Sequence, residues 1–151
     1  MIDISRLGPR LSTSGRHRLA AVPEGLDAMV LPALAGALAP RILVHVARDD
    51  QRLAAIAEQI AFFGPAVEIL RFPAWDCLPY DRVSPAADIV TRRLASLARL
   101  AAPPQGPLIV LTTVNAVLQR VVPKGLVAQA TFTVKPLSLI HISEPTRRYA
   151  I

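Results

Sequence analysis

The sequence predicts a three-layer α/β domain, in which a parallel sheet carries helices on both faces. Apolar runs of strand length alternate with longer segments whose apolar residues recur every three or four positions. Strands and helices that alternate in this way form βαβ units, and these units build parallel sheets. The chain has 151 residues, of which 52% are hydrophobic, and this suffices for one domain with its own core.

Five short runs are rich in the branched apolar residues that favour strands. They are residues 18–22, 41–47, 67–72, 108–112 and 130–134. The run at 41–47 is the clearest, because its apolar residues are interrupted only by His45. We interpret 41–47 as a buried strand, in which His45 is a buried or edge histidine, and 18–22 as the first strand of the sheet.

The clearest helix is predicted over residues 51–63, where the apolar residues fall on one face. Either Asp49 or Asp50 is expected to cap it, because a carboxylate accepts hydrogen bonds from the free amides of the first turn. Gly64 and the proline after it are expected to end the helix.

Three further helices are predicted from the same periodicity. One covers residues 27–38 and is interrupted by Pro32, a second begins with Asp88 as its cap, and a third runs from Val114 to an end at Pro123. The apolar stripe of the helix after Asp88 is formed by Ile89, Leu94, Leu97 and Leu100. The polar residues predicted as caps around the last strand-to-helix turn are Thr112, Thr113 and Asn115.

The turn at residues 22–27 lies where a phosphate-binding loop is expected, since ligands of parallel sheets bind beyond the carboxyl ends of the strands. A working loop of this kind needs several glycines followed by lysine and a hydroxyl residue. This turn has only Gly25, and the carboxylates of Glu24 and Asp27 would repel phosphate. The sequence therefore predicts no cofactor-binding residues in this turn.

Other catalytic and metal-binding patterns are also weak. His17 and His45 lack the spacing of a metal-binding pair, and Cys77 has no neighbouring histidine. Asp76 and Asp81 allow two interpretations: paired carboxylates of a small α/β enzyme, or hydrogen-bond acceptors that hold an ordered loop. We expect the ordered loop, with no catalytic residue and no metal site.

The chain is basic, with 17 lysines and arginines against 11 aspartates and glutamates. The arginines are scattered, so both a solvated surface and a nucleic-acid-binding patch remain open. No apolar span approaches the roughly 20 residues that a membrane helix needs, and the start of the chain lacks the pattern of a secretion signal. We therefore expect a cytoplasmic protein without membrane contacts, and the single Cys77 agrees with a reducing compartment.

Two blocks of the sequence resemble the N-terminal region of the bacterial transcription-repair coupling factors, the Mfd family. Residues 72–97 read FPAWDCLPYDRVSPAADIVTRRLASL, and residues 108–123 read LIVLTTVNAVLQRVVP. The resemblance extends over roughly residues 10–136, and its central half carries the specific motifs. The structural residues of the first block that we expect to fix its loop and the following helix are Trp75, Asp76, Tyr80, Asp81, Asp88 and Arg93.

The resemblance implies a fold like the first domain of UvrB, with a degenerate nucleotide loop. It implies a parent protein that uses ATP and magnesium in motor domains, translocates on DNA, removes stalled RNA polymerase and recruits UvrA. The present chain would be a non-catalytic module of that parent, without cofactor, packed against further subdomains. The alternative is a stand-alone module that binds nucleic acid through its arginines.

The resemblance also divides the chain into three parts. Residues 1–130 correspond to the UvrB-like α/β domain, and residues 131–136 to the start of a truncated subdomain that interacts with UvrA. Residues 137–151 resemble the in-frame translation of a transposase library adapter, so we expect this tail not to belong to the domain.

Overall fold

The computed structural model describes residues 14–77 and 82–131. Three strands, β1 (Leu43–Ala47), β2 (Glu68–Phe72) and β3 (Leu108–Thr113), form a parallel sheet in the order β1-β3-β2. All six residues of the central strand β3 are buried. The predicted parallel sheet is confirmed, whereas Tyr80, Asp81 and all residues after Thr131 lie outside the described residues.

Helices cover both faces of this sheet, so the predicted three-layer architecture is confirmed. They are α1 (Leu26–Leu38), α2 (Asp50–Phe63), α3 (Ala87–Ala101), α4 (Val114–Leu118) and α5 (Lys124–Ala130). Helices α1 and α2 pack together on one face, where Ile56, Ile60 and Ile109 are central to the larger core cluster. Helices α3 and α4 lie on the other face around a smaller cluster that includes Phe72 and Val110.

Local sequence signals account for α2. The Asp49 side chain accepts a hydrogen bond from the backbone amide of Arg52 at 2.7 Å, which satisfies one free donor of the first turn. Leu53, Ile56 and Ile60 are buried on one face, as their spacing predicts. Gly64 ends the helix, and its backbone amide donates to the Ile60 carbonyl at 2.8 Å.

Polar contacts fasten α3 to β2. The Ser96 hydroxyl donates to the Arg71 carbonyl at 3.1 Å, and Arg99 binds the Glu68 carboxylate with two nitrogens at 2.6 and 2.7 Å. The buried residues of α3 are Arg93 and Ser96, and Leu94 is exposed, so the prediction that Leu94 belongs to the buried stripe was wrong. Leu97 and Leu100 of the predicted stripe do pack against the smaller core cluster, so the predicted face is correct apart from Leu94.

The predicted first strand at residues 18–22 is not formed. These residues are exposed, and Ala21 has a φ angle of 56°, which is far from any strand conformation. Pro32 also fails to interrupt α1, which runs continuously through it.

The predicted elements after β3 need three corrections. Pro123 precedes a helix instead of ending one: α4 stops at Leu118, and α5 follows Pro123, whose fixed φ suits a helix start. A strand was predicted to begin at Ala130, but Ala130 is helical and is the last residue of α5. Thr112 and Thr113 make no side-chain cap; the Thr112 hydroxyl donates to the Phe72 carbonyl at 3.1 Å and joins β3 to β2.

Candidate functional site

In the turn before α1, the side chain of Asp27 binds backbone amides of the same turn. Oδ1 of Asp27 accepts hydrogen bonds from the backbone amides of Gly25, at 3.2 Å, and Ala28, at 3.0 Å. Gly25 has a φ angle of 96°, a left-handed conformation that glycine adopts without strain. Gly25 is the N-cap of α1 and Ala28 lies in its first turn, so the Asp27 carboxylate binds two of the amides at the positive end of this helix.

Arg52 of α2 completes this arrangement. Its Nη2 lies 2.5 Å from Oδ2 of Asp27, and its Nη1 lies 3.5 Å from a carboxylate oxygen of Glu24. Burial raises the pKa of Asp27, but the hydrogen bond and charge of Arg52 and the two backbone amides outweigh it, so the pKa lies below its usual value. Asp27 is therefore ionised at neutral pH and balances the charge of Arg52.

His45 lies on β1 near this pair, and its electrostatics give a pH prediction. Burial lowers the pKa of His45, the charge of Asp27 raises it and that of Arg52 lowers it, with a net value below 6.5. The unfolded chain therefore takes up this proton first as the pH falls. We expect stability from this source to be complete above about pH 6.5 and to be lost as the pH falls through the lower folded-state pKa.

Thermal unfolding measured between pH 7.5 and 5 tests this expectation. The melting temperature should fall on acidification, and His45→Gln should flatten the slope in this range. If the melting temperature of the variant depends on pH as steeply as that of the unmodified chain, His45 is not the cause of the dependence.

The loop after β2 is built around one buried arginine. Arg93 of α3 is 1% exposed, and its guanidinium carbon lies 4.2 Å from the ring centre of Phe72 and 4.4 Å from that of Trp75. Its Nη1 donates to the Pro73 carbonyl at 2.5 Å. Both aromatic faces attract the cation, and burial lowers the pKa of Arg93, although arginine remains charged at neutral pH.

Gln119, just beyond α4, binds both Trp75 and Arg93. Its Oε1 accepts hydrogen bonds from the backbone amide of Trp75 at 2.8 Å and from Nη1 of Arg93 at 3.2 Å. The segment after β3 thus holds the segment after β2. Because the strands are parallel and Phe72 is paired with Thr112, both segments emerge at the same edge of the sheet.

Asp76 and Asp88, two acidic residues of this region, bind different partners. The Asp76 carboxylate lies 3.2 and 3.3 Å from the backbone amide of Ala86, so it ties the loop to the start of α3. Asp88 is not the cap predicted for it: Ala86 is the N-cap, and Asp88 lies in the first turn, where it forms an exposed ion pair with Arg92 at 3.4 Å. Asp81 lies outside the described residues.

A mainly apolar cavity lies near this end of the sheet. The cavity has a volume of about 250 Å³, its lining includes Phe72 and Gln119, and no carboxylate is among its lining residues. No cluster of metal-binding side chains occurs within residues 14–77 and 82–131. Nor does any helix in this part of the chain have the length and apolarity to cross a membrane.

Comparison with known proteins gives a consistent result. A transcription-repair-coupling factor from Myxococcus xanthus is 40% identical over 130 residues, which cover 82% of this chain and 10% of the relative. The proteins of the same name from Mycobacterium bovis and Escherichia coli K12 are each 36% identical, over 74% and 54% of this chain and 9% and 7% of their own lengths. The chain belongs to the transcription-repair coupling factor family.

No protein-family model matches this coupling-factor chain. The chain spans about a tenth of the length of the Myxococcus relative, so the activities and partners of a whole coupling factor do not pass to it directly. Within the coupling-factor motif, the structure brings Trp75 and Arg93 together, whereas Asp76 bonds to the amide before α3.

Sequence reasoning missed two residues of this coupling-factor segment. Arg52 and Gln119 lie on elements far in sequence from the groups that they bind. No local pattern marks either residue.

Proposed function

We propose that the chain is the N-terminal, non-catalytic module of a cytoplasmic transcription-repair coupling factor. In this proposal the module serves as a scaffold and holds no nucleotide. The observation that carries it is the Asp27 carboxylate, which accepts from the amides of Gly25 and Ala28 and pairs with Arg52. A phosphate entering this turn would have to displace a paired carboxylate, and like charge opposes its approach.

The proposed scaffold serves the activity of a longer parent protein. We propose that motor domains elsewhere in the parent bind ATP and magnesium and move on DNA, displacing stalled RNA polymerase and recruiting UvrA. The family membership supports this reading of the whole protein, and the arginine-centred loop supports a structural task for this part. The module is then expected to pack against further subdomains of the same polypeptide.

Calorimetric titration with ATP and magnesium tests the absence of nucleotide. The 151-residue chain should show no saturable binding up to millimolar ATP, because its anion position is filled from within. Asp27→Ala releases Arg52 and the amide of Gly25, while the Ala28 amide keeps its 3.2 Å contact with the Gly25 carbonyl. The variant should therefore bind inorganic phosphate more tightly than the unmodified chain. Saturable ATP binding at the turn of the unmodified chain would overturn the proposal.

Direct binding of nucleic acid is the alternative function. Against it, several arginines are not available to phosphates: Arg52 pairs with Asp27, Arg99 pairs with Glu68, and Arg93 is buried. A DNA-binding module would show an affinity that falls steeply with salt, because bound arginines release counterions from the phosphates. Absence of any gel shift at low salt would remove this alternative.

A further inference from the structure

We draw no further inference here: the strongest candidate, the apolar groove lined by Val44, Leu97 and Val117 between β1 and helices α3 and α4, carries nothing because nothing in the structure shows what covers it.

Discussion

Replacing Arg93 with alanine is expected to lower the free energy of unfolding by about 3–4 kcal/mol. The change removes two cation–π contacts, with Phe72 and Trp75, and the hydrogen bonds to the Pro73 carbonyl and Gln119. It also leaves a cavity, because the side chain is 1% exposed. A domain of this size is stable by only about 5–15 kcal/mol, so the loss is a large part of the total.

The neighbouring arginine gives a matched control. Arg92 lies on the same helix with a side chain that is 65% exposed, and its ion pair with Asp88 at 3.4 Å is of the kind that contributes little. Arg92→Ala should therefore change the free energy of unfolding by less than about 0.5 kcal/mol. Arg93→Lys keeps the charge but loses the planar group that lies between the rings, and it should be destabilised by about 2 kcal/mol.

Urea denaturation followed by tryptophan fluorescence measures these effects. Trp75 is the single tryptophan of the chain, so its emission reports directly on the loop that Arg93 holds. We expect the emission of Arg93→Ala to shift to longer wavelength even before global unfolding, because the ring loses its partner and gains water. If Arg93→Ala is as stable as Arg92→Ala, the arginine is not what holds the loop.

The elements that the sequence predicted well are those with local causes. The strand β1 and the helix α2 follow from an apolar run and from one apolar face with an aspartate cap, and each signal is contained within a few residues. The sheet order β1-β3-β2 is not local, although the alternation of strands and helices was enough to predict that the strands are parallel.

The errors have a shared physical origin in contacts between distant segments. Residues 18–22 have the composition of a strand, but a strand needs a hydrogen-bonded neighbour, and Ala21 adopts a left-handed conformation instead. The family resemblance marked Arg93 as a structural residue, but periodicity alone does not show its burial, which depends on contacts with Phe72 and Trp75, some twenty residues earlier. The sequence indicated this loop as the candidate site, whereas the stacking of Arg93 and the hydrogen bonds of Gln119 appear only in the tertiary structure.

Replacing Gly64 with alanine is expected to destabilise the fold by about 2–3 kcal/mol through overpacking. A Cβ atom at this position would lie 2.5 Å from Cβ and 2.8 Å from Cγ of Pro32, much closer than such atoms approach in folded proteins. The Pro32 ring is rigid and buried within α1, so it cannot rotate away as a long side chain would. Either α1 must move from α2, or the end of α2 must open and lose the hydrogen bond from Gly64 to Ile60.

Gly36 is the matched control for this substitution. It lies on an exposed part of α1, and a Cβ built there meets nothing within 4 Å. Gly36→Ala should therefore stabilise the protein by about 0.5–1 kcal/mol, because alanine loses less backbone freedom than glycine in a helix. Chemical denaturation measures the change in the free energy of unfolding for both variants. This change should be negative for Gly64→Ala and positive for Gly36→Ala if close packing of α1 against the end of α2 is what requires glycine at position 64. A shift of the same sign in both would show that helix propensity, and not the contact with Pro32, controls the effect.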